Sequence, residues 1–187
     1  MLEHWQSARA KAPQAKDPGT LLADYMVSLL VLSAHFKFKP VAGNTYHLYW
    51  AKGVWRLSLI APQEWTDTTP GHFVGSCCLR SDMTWALDPA ADLSDHPDLV
   101  QALDGFIHDF LETLEGHETL EAGLPFYVAQ LPFYQRLLAT GLASSLQRSA
   151  RAGGMAQRKA HFWLGAADPK PLAALQGLDR TGSSHNR

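Results

Sequence analysis

An α+β fold is the architecture this sequence predicts: a small antiparallel meander of three to four strands packed against one N-terminal helix and two C-terminal helices. Three observations carry the prediction. Leu21, Leu22, Tyr25, Met26, Leu29, Leu30 and Leu32 recur at helical spacing and define a broad apolar face. Residues 45–60 instead form two aromatic-rich runs, interrupted by the Gly53 that a hairpin needs for positive φ. Leu99, Val100, Leu103, Phe106, Ile107, Phe110, Leu111 and Leu114 then make one continuous helical stripe, the clearest periodic signal in the chain.

The elements follow in order. Residues 1–17, rich in Ala, Gln and Lys, read as a mobile leader, and a helix begins near Pro18 or Thr20. His35–Pro40 alternates and ends in Pro, so the chain leaves the helix as a short strand. Thr45–Trp50 and Val54–Ile60 are strands joined by Ala51-Lys52-Gly53; Trp55, Leu57 and Leu59 point one way, Arg56 and Ser58 the other. Pro62–Trp65 makes a turn, a polar loop runs from Thr66 to Gly71, a third strand covers Phe73–Leu79, and Met83–Leu87 supplies a fourth. Asp95 caps the next helix, with Pro97 in its first turn. A loop (Gly116–Gly123) precedes a duplication, Leu124-Pro125-Phe126-Tyr127 and Leu131-Pro132-Phe133-Tyr134, read as a helical turn followed by a helix from about Pro132 to Arg148. The expected organisation is one domain over residues 18–148 (sheet core 36–87, helical half 95–148), followed by a loosely ordered basic tail, 149–187. In that tail His161-Phe162-Trp163-Leu164 is a docking patch.

Composition bounds the function classes. A chain of 187 residues that is 46% hydrophobic buries one core, and a charged fraction of only 18% fits a compact body or a partner-covered face. A net charge of −2 exerts no general pull toward nucleic acid or anionic lipid. The apolar run Met26–Leu32 falls far short of the roughly 20 residues that span a bilayer, so no membrane span is expected. The N-terminus lacks the apolar stretch of a signal peptide, and Cys77 and Cys78 are adjacent with no third cysteine; the expected location is cytoplasmic. No cofactor is called for.

Several constellations admit a functional and a plainer reading. Asp104, His108 and Glu112, with Glu115, recur along one helix face in a metal-ligand style, but they oppose the apolar stripe, where solvated residues belong; no metal is assigned. Cys77-Cys78 suggests a redox centre, yet neighbours on a strand face opposite ways and a free Cys is usually a small buried hydrophobe. Glu64-Trp65 and Asp82-x-x-Trp85 each place a carboxylate near an indole at a strand end. Together with Tyr46 they form the candidate binding surface: Tyr46, Glu64, Trp65, Asp82 and Trp85. The alternative is that the acids bond loop amides while the rings close the sheet. Tyr46, Tyr49, Trp50 and Trp55 suggest a base-stacking platform, but the nearby cations are Lys37, Lys39, Lys52 and Arg56 alone, too few for phosphate-driven affinity. Residues 122–167 carry Arg136, Arg148, Arg151, Arg158 and Lys159 and no acid, a bias suited to an acidic partner or membrane surface.

The ordered set Gly43-Asn44-x-Tyr46-x-Leu48-Tyr49, Ser58-x-Ile60-x-Pro62-x-Glu64-Trp65, Phe73-x-Gly75 and Leu79-x-x-Asp82-x-x-Trp85 resembles an uncharacterised family, a domain of unknown function with bacterial and eukaryotic branches. The resemblance covers about residues 36–87, and the surrounding helices look like the proteobacterial branch. It implies no activity, cofactor or partner.

The leading functional expectation is therefore a non-enzymatic intracellular binding or accessory module with a protein partner at the helical half or tail. The alternatives are a small hydrolase-like enzyme using His47 or His72 with Glu64 and Asp82, and a weak RNA-binding module, although nucleic acid is not an expected partner.

Overall fold

The computed structural model describes residues 15–66, 68–119, 122, 131–159 and 162. Most of the expected leader, the first Leu-Pro-Phe-Tyr copy and the tail beyond Phe162 lie outside the described residues, as do His161, Trp163 and Leu164 of the docking patch.

Helix α1 (Pro18–Ser33) begins where Asp17 caps it. The Asp17 carboxylate accepts from the Thr20 hydroxyl at 2.6 Å and the Thr20 amide at 3.0 Å, bonds that hold its carboxyl below the usual range. The apolar face expected on this helix widens into burial on all sides: from Leu21 to Leu32 only Ala23 is not fully buried, and Asp24 and Ser28 are buried with the rest. α1 touches β2 and β4 of the sheet as well as both later helices, so it is the centre of the domain.

The sheet comprises β1 (Thr45–Ala51), β2 (Val54–Ser58), β3 (His72–Leu79) and β4 (Trp85–Pro89). Lys52 and Gly53, both at positive φ (50° and 79°), make the two-residue turn between β1 and β2. All pairings are antiparallel and the order is β2-β1-β3-β4. The α+β class, four strands and three flanking helices are as expected, but the successive strand order of a meander is not: β3 lies beside β1. The 59–71 connection is long enough to cross β1 on the face away from the core, and side chains fasten it there. The Tyr49 hydroxyl donates to the Ile60 carbonyl (2.9 Å), and the Trp65 indole N–H donates to the Tyr49 hydroxyl (3.0 Å). The alternating segment after α1 contributes only a parallel bridge, His35 to Arg56, which covers part of the edge of β2.

A bulge sets which β3 residues face inward. Leu48 pairs with Gly75 and Tyr49 with Phe73, leaving Val74 as the extra residue. Phe73 consequently joins Tyr49 on the outer face, while Val74, Cys77 and Leu79 enter the core. Gly75 is required here: a Cβ would lie 2.3 Å from the Asp88 carbonyl oxygen of β4.

Helix α2 (Pro97–Glu115) starts after His96; Asp95 lies in a preceding 3-10 turn, Leu93–Asp95, instead of capping the helix. Its buried stripe is Leu99, Leu103, Ile107, Phe110 and Leu114, and the Phe110 ring meets Tyr25 of α1 edge-on at 5.2 Å. Helix α3 (Phe133–Ala152) buries Leu138, Ala139, Leu142, Leu146 and Ala150. Gln135 Nε2 donates to the Ala34 carbonyl (2.7 Å), satisfying the C-terminal end of α1. Met155 and Ala156, beyond α3, are also packed in the core.

Candidate functional site

Asp82 and Thr84 lie in the turn between β3 and β4, and Trp85 opens β4, which packs against α1. Trp85 and Tyr46 are 1% and 2% exposed, meet edge-on at 5.7 Å and belong to the core. The Tyr46 hydroxyl accepts from the Val41 amide (2.7 Å), which fixes the entry into β1. The Trp85 indole nitrogen has no hydrogen-bond partner among the described residues, so the ring contributes area to the core instead of a polar contact. Asp82 belongs to a charge-balanced network. Lys16 Nζ reaches Asp24 Oδ2 at 2.6 Å and Asp82 Oδ2 at 2.8 Å, and Arg80 Nη1 reaches Asp24 Oδ1 at 2.6 Å. Thr84 donates to Asp82 through its hydroxyl (2.6 Å) and its amide (3.1 Å). One turn along α1, Ser28 Oγ accepts from the Trp85 amide at 2.9 Å.

Burial pulls the Lys16 ammonium down, but the bonds and charges of Asp24 and Asp82 outweigh it, and its pKa is raised. Burial likewise pushes the Asp82 carboxyl up, and Lys16 with Thr84 outweighs that to leave it lowered. Two cations and two carboxylates thus satisfy one another, an arrangement that binds α1 and the residues before it to the β3–β4 turn. The sequence reading missed Lys16, Asp24, Ser28 and Arg80. The available signal was Asp24 and Ser28, two polar residues spaced i, i+4 inside an otherwise apolar helix.

Glu64 and Trp65 occupy the opposite face of the sheet. Glu64 is exposed; its Oε2 accepts from the Ala61 amide (2.7 Å) and its own amide donates to the Ala61 carbonyl (3.0 Å), closing the 3-10 turn Pro62–Glu64. Trp65 is half-buried and stands edge-on to Tyr49 at 6.1 Å, and the Phe73 ring lies 5.5 Å from that of Tyr49. Burial raises the Tyr49 pKa, with the Trp65 bond opposing and the Glu64 charge reinforcing that shift. Leu59 and Ile60 are exposed beside this turn; strand β2 has already ended at Ser58, so Leu59 does not continue the inward side of Trp55 and Leu57.

The candidate binding residues are therefore divided: Tyr46 and Trp85 inside, Asp82 in the ion network, Glu64 and Trp65 on the outer face. The four side chains of the hydrolase alternative are divided as well. His47 is on the outer face near the Phe73 ring (6.1 Å), where burial holds its imidazole below the ordinary histidine range against the pull of Glu64. His72, at the start of β3, stacks toward Trp50 (6.3 Å), lies 4.2 Å from the His96 ring and has Nε2 3.9 Å from Asp98 Oδ2. Asp82 follows the far end of that eight-residue strand, whose ends are about 23 Å apart.

The remaining sequence candidates are simply placed. Trp50 and Tyr46 face the core and Tyr49 the outer face under the crossover, so the four aromatic residues form no single exposed row. Cys77 is buried, which pushes its thiol pKa up, and Cys78 is half-buried. Asp104, His108, Glu112 and Glu115 are exposed on α2, and among the described residues no three His, Cys, Asp or Glu side chains converge as a metal-ligand set. No described helix is long and apolar enough to cross a membrane.

A different surface emerges on α3. Phe133 (66% exposed), Leu137 (54%) and Tyr134 (40%) present apolar side chains at its first two turns. Exposed Thr140, Ser144 and Arg148 continue the row set by Phe133 and Leu137, with half-exposed Arg136 beside it. Single exposed hydrophobes are ordinary, but three on adjacent helical positions form a patch.

No curated protein and no solved structure matches this chain. Residues 19–109, from α1 through the whole sheet into α2, match the family described as Protein of unknown function (DUF2452), and this stretch contains all the motifs of the resemblance.

Proposed function

We propose that this protein is a non-enzymatic binding or accessory module, acting inside the cell, that docks a protein partner through its helical half. The observation that carries the reading is the apolar patch Phe133, Tyr134 and Leu137 on the first two turns of α3. A helix that already buries Leu138, Leu142 and Leu146 on its inner side gains nothing for folding by exposing two aromatic rings and a leucine outward. Large apolar side chains at such a place supply the anchors of an interface, because aromatic residues bury much area at low cost in rotamer freedom.

The test is a photo-crosslinking benzophenone side chain introduced in cells at position 133 and, as a control, at exposed position 112 on α2. Irradiation is expected to give a discrete protein adduct from position 133 and none from 112. Absence of an adduct at 133, or equal labelling from both positions, would overturn the reading.

A further inference from the structure

We infer that the partner surface recognised by α3 is an acidic amphipathic helix lying antiparallel to it; this rests on the docking reading above. The exposed row Phe133, Leu137, Thr140, Ser144 and Arg148 extends about 22 Å along one side of the helix. Its character changes along the axis. Apolar rings and a leucine occupy the N-terminal end, small hydroxyl residues leave a low ridge in the middle, and arginine takes over at the C-terminal end. Residues 131–159 contain Arg136, Arg148, Arg151, Arg158 and Lys159 and no carboxylate side chain, so an incoming acid meets no repulsion from this segment.

The orientation follows from the same gradient. A partner helix running antiparallel sets its first turn beside Arg148 and its later turns beside Leu137 and Phe133. Asp and Glu are favoured in a helix's first turn by its dipole, and opposed helix dipoles attract. Anchors at i and i+4 on α3 suit leucine or aromatic residues in the last two turns of the partner. A lipid surface suits this face less well, because an interfacial helix needs apolar residues along its whole length, flanked by cations; here the apolar residues are confined to the first two turns, with Arg136 beside them and Arg148 at the far end.

Fluorescence anisotropy of the full chain with labelled synthetic helices of about four turns, matching the exposed row, tests the inference. One peptide carries Glu in its first two turns and Leu and Phe in its last two; a second has Gln for every Glu; a third has the order of the blocks reversed. The first is expected to bind at least about 10-fold more tightly than the other two, and Arg148→Glu to remove most of that advantage, with Arg136→Glu removing much less, while thermal unfolding stays unchanged. Equal binding of the Glu and Gln peptides, or no binding of any peptide by a chain that still crosslinks from position 133, overturns the acidic-helix inference and leaves the docking reading standing. Tighter binding to phosphatidylserine vesicles than to the first peptide overturns it in favour of a membrane surface.

Discussion

Glu64-Trp65 and Asp82-x-x-Trp85 have the same chemistry in the sequence, an acid beside an indole near a strand end, and the fold uses them in opposite ways. At the β3–β4 turn the ring goes inside, 1% exposed, and the acid joins Lys16, Asp24, Arg80 and Thr84 in a network beneath α1. On the outer face the acid stays in water and closes its own turn, while the ring straps the crossover to Tyr49. The difference lies in what each turn must hold. The β3–β4 turn abuts a helix buried on all sides, whose Asp24 requires compensating cations. The 59–71 connection has only the outer side of β1 to rest on, and a tyrosine–tryptophan contact suffices. A short motif therefore specifies an interaction type, and the neighbouring element decides whether that interaction is core or strap.

Three measurements break or sharpen this contrast. The largest effect belongs to Asp24→Asn, which removes the carboxylate that both Lys16 and Arg80 contact. Unfolding free energy is expected to fall by about 3 kcal/mol, read as a lower urea midpoint at unchanged slope. A loss below about 1 kcal/mol, the range of a surface ion pair, would show that Asp24 is not the hub.

On the outer face, Trp65→Ala is expected to cost about 1–2 kcal/mol, since the ring is half-buried and donates one hydrogen bond, and Tyr49→Phe about 1 kcal/mol. The two losses should not add in the double variant, because both remove the same strap. Simple additivity would mean that the crossover is held by other contacts.

The smallest effect is a pH dependence. Because the folded Asp82 carboxyl is held below its unfolded value of about 3.9, its stabilising contribution is fully present above that value and is lost as the pH falls through the lower folded one. Asp82→Asn should therefore flatten the acid limb of the stability profile and cost about 1 kcal/mol at neutral pH, modest because Asp82 is partly exposed. An unchanged acid limb would remove Asp82 from the network's energetics.

Much of the fold was legible in the residues. The i, i+3, i+4 spacing in residues 21–32 and 99–114 places apolar side chains on one side of a helix whatever surrounds it, and the positive φ demanded between β1 and β2 falls on Lys52 and Gly53. Less of the site was legible. Alternation along 45–50 separates Tyr46 from Tyr49 by face, yet it says nothing about which face the helices cover. The bulge at Val74 reverses the alternation in β3, so counting residues from Phe73 assigns the wrong side to the strand's second half.

By itself the sequence determined the α+β class, the helices and the hairpin, because these depend on local periodicity and on glycine's conformational freedom; its aromatic motifs fall within the stretch that matches DUF2452. Tertiary structure alone decided the β2-β1-β3-β4 order, the burial of Trp85, and the meeting of Lys16 with Asp82, 66 positions away, and of Asp24 with Arg80, 56 positions away. Those outcomes depend on which surfaces dock, and docking is chosen by total area buried and charge satisfied over the whole domain, sums that no local spacing contains.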